Sequence, residues 1–188
     1  MKTSAPALPL LLAALLLAAP PAQARDTDPP DSLYRFDAAL TSQAGREHGL
    51  DVYRGHRVLV TMFYGSCQAT CPLIIETLRS VERAVPERER ANLRVLMISF
   101  DPRRDTVPAL HALAETRHID TTRWTIARAD ERTVRNIAAL LDVQYRELPG
   151  GEFSHSTTIV LLSKAGEVEV TSSKLGTADA ALVERLRN

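Results

Sequence analysis

Phe63-Tyr64-Gly65-Ser66-Cys67-Gln68-Ala69-Thr70-Cys71-Pro72 holds both cysteines of the chain and joins two contrasting sequence patterns. Before it, Arg57 to Tyr64 contains Val58, Leu59, Val60, Met62, Phe63 and Tyr64 without strict alternation. That is the pattern of a strand covered on both faces in a largely parallel sheet. After it, Pro72 followed by Leu73, Ile74, Ile75, Glu76, Thr77 and Leu78 reads as the first turns of a helix, because proline at a helix start has no amide to waste and has its φ already set. Gly65 breaks the strand. The spacing predicts a strand-to-helix corner, with Cys71 at the helix cap and Cys67 in the loop before it. Two thiols so placed can form a disulfide or chelate one soft metal ion. The helix dipole and free amides are expected to lower a cysteine pKa there and favour the thiolate, which attacks disulfides and binds metals.

The rest of the chain bounds what this corner can serve. Met1 to Ala24 has the parts of a secretory signal peptide: Lys2, an apolar run from Leu10 to Ala19, and Ala22-Gln23-Ala24 as a cleavage site. The apolar run is short of the ~20 residues of a membrane-spanning helix, and no cysteine directly follows it to carry a lipid. The expectation is export to an oxidising compartment, the periplasm, with a mature chain starting near Arg25; an uncleaved signal acting as an anchor is the alternative. Residues 25–33 read as a flexible linker and 34–188 as a single domain, a length able to bury a sizeable core. The 23 basic and 23 acidic residues balance, and without a basic patch nothing favours nucleic acid or a membrane surface as partner. Two cysteines are too few for a disulfide scaffold.

Beyond the corner, hydrophobic runs predict strands at Leu93 to Phe100, Trp124 to Arg128, Val143 to Leu148, Thr157 to Leu162 and Val168 to Thr171. Helices are expected from Pro72 to Ala84, Pro108 to His118, Glu131 to Leu141 and up to Arg187. Asp105 or Thr106, Asp130, and Thr177 or Asp179 are the expected caps of the last three. Ahead of the main strand, Tyr34 to Leu40 and Gly49 to Tyr53 are read as a strand pair connected by Gln43 to His48. The alternation of strands and helices, closing with a hairpin and a helix, implies an α/β sheet with helices on both faces. In such sheets chemistry gathers at the carboxyl ends of the strands, where the cysteine loop and the Asp101 to Thr106 loop both lie.

Three stretches in order carry a family resemblance: Cys67-Gln68-Ala69-Thr70-Cys71-Pro72 after a strand ending Phe63-Tyr64-Gly65, Asp101-Pro102-Arg103-Arg104-Asp105-Thr106 after the next strand, and Phe153-Ser154-His155-Ser156 before the hairpin. The chain from about Tyr34 onward resembles the Sco/SenC family, thioredoxin-like proteins that handle copper in the assembly of cytochrome c oxidase. The resemblance implies a thioredoxin-like fold, a central mixed sheet with helices on both faces and an N-terminal extension. It also implies copper on Cys67, Cys71 and His155 and a copper-accepting oxidase subunit or another cuproprotein as partner; the chain is expected to be a monomer. The chain departs from the family pattern at Ala69 and Ser154, where members commonly carry aspartates that would orient the histidine and tune the metal.

The same corner admits a different chemistry. One cysteine can attack a partner disulfide while the other resolves the mixed disulfide, keeping the copper-ligand cysteines of the oxidase reduced, with a periplasmic thiol reductase restoring the pair. A thioredoxin-related peroxidase is a third reading. His155 discriminates, since a three-coordinate metal site needs an imidazole there and dithiol exchange does not. Met62, Met97, Trp124 and Phe153 read as packing, and His48, His56, His111 and His118 as ordinary connection or surface residues. Arg103 and Arg104 lie where they could meet a partner or favour the thiolate.

Overall fold

The computed structural model describes residues 28–67 and 70–188. The expected signal segment lies outside the described residues, as do Gln68 and Ala69 in the cysteine loop. In chain order the elements are β1 (Leu40–Ser42), β2 (Glu47–His48), β3 (Arg57–Phe63), α1 (Thr70–Ala84), α2 (Glu87–Asn92), β4 (Leu93–Ser99), α3 (Val107–Thr116), β5 (Trp124–Arg128), α4 (Glu131–Leu140), β6 (Tyr145–Glu147), β7 (Phe153–His155), β8 (Ile159–Leu162), β9 (Val168–Ser172) and α5 (Ala180–Arg187).

Seven strands form one mixed sheet in the order β2-β1-β5-β4-β3-β8-β9. β3, β4 and β5 run parallel, and β8 lies antiparallel to β3 on its other side. β3 is buried at every position from Val58 to Phe63, so both faces of the sheet are covered and the unalternating pattern is explained. Each fully buried large apolar side chain here contributes roughly 1.5–3 kcal/mol relative to exposure. The successive steps from β3 to β4 to β5 run the same way across the sheet, and right-handed crossovers then place α1 and α3 on one face. Consistent with this, Arg79 of α1 donates to the carbonyls of Arg117 and His118 just past the end of α3.

The first strands sit elsewhere than the sequence pattern indicates. Leu33–Arg35 and Leu50–Tyr53 are 3-10 turns, and the strand pair is β1 with β2: β1 starts at the last residue of the first expected strand, and β2 lies inside the stretch read as a connection. The cause is tertiary. β1 takes its register from β5, and Gln43 extends that pairing, its amide donating to the Ile126 carbonyl and its side-chain oxygen accepting from the Ile126 amide. Ser32 instead caps the first turn by accepting from the Tyr34 amide. α3 ends at Thr116, short of His118, which takes a left-handed conformation with φ 50°. α2 is an additional short helix with no buried residues, so no apolar stripe announces it.

Two features lie at the periphery of the sheet. β6 and β7 pair only with each other, as a separate two-stranded ribbon. Residues 28–36 are fastened to the β8–β9 turn: the Leu33 amide donates to the Gly166 carbonyl, the Ser32 hydroxyl to the Ala165 carbonyl, and Asp28 pairs with Arg54.

Candidate metal centre

β3 delivers the chain to Tyr64 and then to a turn at Gly65. The Gly65 amide donates to Asp105 Oδ2 at 2.9 Å, and the Ser99 hydroxyl donates to the same oxygen. A Cβ at position 65 would collide with Asp105 Oδ1, so the close approach of this carboxylate requires glycine. Asp105 is 4 % exposed; burial pushes its pKa up, and the bonds from Ser99 and Gly65 partly offset that. The helix cap expected of Asp105 or Thr106 falls to Thr106, which accepts from the Ala109 amide. Asp105 is thereby free to brace the cysteine turn.

Both cysteines are buried and reduced. The Tyr64 carbonyl accepts from the Cys67 amide at 3.3 Å and from Cys71 Sγ at 3.3 Å. The Cys71 amide donates to Cys67 Sγ at 3.4 Å, so an amide of the first helical turn, lacking a carbonyl partner within the helix, finds the sulfur. Cys71 lies inside the first turn of α1, one residue past its start. Contrary to the expectation of a lowered pKa, burial pushes the Cys71 thiol up to about 12; its bond to the Tyr64 carbonyl lowers it only in part, and the neighbouring Cys67 and Asp105 add to the rise.

His155 closes β7 and pairs with Tyr145; it belongs to a strand, where the sequence placed it in a loop. Its Nδ1 lies 3.0 Å from the Ser156 carbonyl. A carbonyl oxygen only accepts, so Nδ1 carries the proton and Nε2 presents a lone pair. The imidazole meets the Tyr64 ring edge-on at 5.8 Å and tilts against Phe100 at 5.1 Å. Tyr64 thus touches both cysteines and the imidazole. Among the described residues, no three histidine, cysteine or carboxylate side chains converge closely enough to hold a metal ion.

Tyr64, Asp105 and Glu152 shape the site without having been read as site residues in the sequence. The Tyr64 hydroxyl donates to Glu152 Oε2 at 2.6 Å and is in hydrogen-bonding reach of the Cys67 side chain. Burial first, and then these two neighbours, hold its pKa well above the usual phenol range. The signal for Tyr64 was its place as the last apolar residue before Gly65; for Glu152 it was a lone carboxylate between two glycines and the histidine strand. Ser154 is exposed on the side of β7 opposite Phe153 and His155.

Arg103 and Arg104 turn toward the ribbon. Arg103 pairs with Glu131 and Glu147, Arg104 with Asp101 and Glu147, and the Arg104 guanidinium lies 5.5 Å over the Phe153 ring. Beside them a cleft of about 330 Å³ opens between Phe100, Tyr145, Phe153, Arg103 and Arg146. Met62 and Met97 are core residues, and Trp124 is buried with its Nε1 donating to Glu82 at 3.0 Å. His111 and Glu115 form an exposed pair on α3.

A central mixed sheet with a cysteine pair where a strand turns into a helix defines a thioredoxin-like domain. The family model described as SCO1/SenC matches residues 27–188, and the chain belongs to that family. Among solved structures, a candidate electron transfer protein from Aquifex aeolicus VF5 superimposes with a TM-score of 0.73 at 20% identity, covering 84% of this chain and 92% of its own. ScoI of Arabidopsis thaliana, solved with copper bound, gives 0.70 at 18% identity over 80% of this chain and 94% of its own. BsSco, a Sco-family cytochrome c oxidase assembly protein in which a disulfide switch was identified, gives 0.64 at 16% over 79% and 86%. At these identities the likeness speaks for the fold. No curated protein matches by sequence.

Proposed function

We propose that this protein is an exported copper metallochaperone. It takes copper as cargo on Cys67, Cys71 and His155 and passes it to the dinuclear copper site of a cytochrome c oxidase subunit or to another cuproprotein, acting as a monomer in the periplasm. The observation that carries the reading is the convergence on Tyr64: its carbonyl holds Cys71 and its ring seats an imidazole whose Nε2 lone pair is free of the Ser156 hydrogen bond. Membership of the SCO1/SenC family and the copper-bound plant ScoI support it.

The donor set suits the ion. Cu(I) is soft and accepts two thiolates and an imidazole, whereas a closed structural zinc site calls for four protein ligands. Each thiol gives up its proton on binding, so affinity rises with pH. Three ligands leave the ion open to an incoming thiolate, and the client's cysteines would replace Cys67 and Cys71 by ligand exchange. The carboxylates missing at Ala69 and Ser154 are replaced in one respect by the Ser156 carbonyl, which fixes the ring tautomer as an outer-sphere acceptor does.

A second reading has its own observation, the contact of Cys67 Sγ with the Cys71 amide in a reduced pair, together with the disulfide switch of BsSco. One thiolate attacks a disulfide of the oxidase, and the other resolves the mixed disulfide. The client leaves as a dithiol and the Cys67–Cys71 disulfide remains for a thiol reductase.

A Cu(I) competition titration of the reduced protein against a chromophoric chelator, with His155→Ala and Cys67→Ser in parallel, separates the two. One-to-one binding that weakens strongly in both variants is the expected result. Binding that His155→Ala leaves unchanged removes the metallochaperone reading and leaves thiol-disulfide exchange.

A further inference from the structure

The β6–β7 ribbon carries His155 but shares no ladder with the main sheet; apart from the short link to β8, side-chain contacts set where it lies against the cysteine corner. Glu147 joins Arg103 and Arg104, but these arginine side chains are 70 % and 43 % exposed and Glu147 is 42 % exposed. Exposed pairs of this kind contribute little and are screened by salt. The aromatic contacts of Tyr64, Phe100, Tyr145 and Phe153 are apolar and less directional than a hydrogen bond.

The bond from the Tyr64 hydroxyl to Glu152 is of another kind. Tyr64 is 4 % exposed while Glu152 is exposed, so the bond is shielded on the tyrosine side only; a short O–H···O⁻ bond is nonetheless among the stronger hydrogen bonds a protein makes. Both of its ends are fixed. Tyr64 is the residue to which Cys67 and Cys71 are bonded. The Glu152 carbonyl accepts from the Leu148 amide at 2.7 Å, closing the ribbon's turn through Gly150 and Gly151, both at positive φ. His155 follows three residues later.

We infer that Glu152 is a positioning residue of the site: through the Tyr64 hydroxyl it fixes the β6–β7 ribbon, and with it His155, against the cysteine corner. The inference rests on the reading of His155 as a copper ligand. It gives this chain a carboxylate for the histidine strand although Ser154 supplies none.

Glu152→Ala removes the acceptor and leaves Tyr64 with its contact to Cys67 intact, while Tyr64→Phe keeps the ring and removes the hydroxyl with both its bond to Glu152 and its contact to Cys67; the variants share the loss of the Glu152 bond. In the Cu(I) titration each is expected to weaken binding about tenfold, at the low end of what groups orienting a ligand contribute. Adding Glu152→Ala to Tyr64→Phe or to His155→Ala should cause no further loss. In the metal-free protein, the His155 ring resonances in an NMR spectrum should shift or broaden in both variants. Unchanged affinity, or a loss that persists in full on the His155→Ala background, overturns the inference. If His155→Ala alone leaves the wild-type affinity unchanged, the ligand reading falls; the ring resonances then decide, and their staying put overturns the hold of Glu152 on the ribbon.

Discussion

Gly65→Ala tests the bracing of the cysteine turn by Asp105. The backbone at Gly65 is not among the positive-φ positions, so alanine suits the local conformation and only the contact is probed. Its Cβ would overlap Asp105 Oδ1. That carboxylate has nowhere to go, because its other oxygen is held by the Gly65 amide and the Ser99 hydroxyl and Ser99 is 0 % exposed. Overpacking costs about 1–3 kcal/mol, and a buried donor left without its acceptor costs about 1–3 kcal/mol. The lower chain entropy of alanine in the unfolded state returns about 0.4–1 kcal/mol. A net loss of about 2–4 kcal/mol is expected, lowering Tm by roughly 5–12 °C for a domain of this size. Urea unfolding of the reduced, metal-free protein measures it. The decisive control is Asp105→Ala, which removes the obstacle; on that background Gly65→Ala should cost less than ~0.5 kcal/mol more. Full additivity of the two losses, or a Gly65→Ala variant as stable as the wild type, refutes the bracing.

Asp179 caps α5 through the Ala181 amide and also accepts from Ser172 and Lys174, so Asp179→Ala should cost about 1–2 kcal/mol. The Ser172 bond, followed by the Ala181 amide, holds its pKa below the ordinary 3.8; its contribution is present above that value and lost as pH falls through the depressed one, and the acid unfolding curve of the variant should be correspondingly flatter. Glu82 has the opposite sign. Burial raises its pKa despite Arg123 and Trp124, so its favourable contribution is complete below 4.5 and lost as pH rises through the raised value. Glu82→Gln keeps an acceptor for the indole of Trp124, the chain's one tryptophan, and cannot ionise. Fluorescence-monitored urea unfolding should show the variant gaining on the wild type between pH 4 and pH 7, whereas an identical difference at both pH values would count against it.

The sequence was most informative where a pattern is set by covalent chemistry or by two-sided burial. β3, β4, β5 and the β8–β9 hairpin were legible because continuous apolar runs leave few alternatives, and α1 and α4 because proline and Asp130 mark their starts. β1 and β2 were not, since Leu40–Ser42 is a strand only because β5 lies beside it. At the candidate site, the cysteines were legible from their spacing at a strand-to-helix corner, and His155 only through the family resemblance. The pKa of Cys71 was misjudged because a dipole can be inferred from sequence while the degree of burial opposing it cannot. The roles of Asp105 and Glu152 depend on contacts spanning 40 and 88 residues of chain, which no local pattern encodes.

The fastening of residues 28–36 to the β8–β9 turn has a practical consequence for handling the protein. That turn follows Leu162, which pairs with Val58 near the start of β3, while the thiols lie beyond its far end. The strand spans roughly 20 Å at ~3.3 Å per residue. A surface linker, fluorophore or fusion partner introduced just before Asp28 would therefore sit at the pole away from Cys67, leaving its approach unobstructed. Immobilised through that point, the domain would turn its cysteine corner toward a partner flowing past.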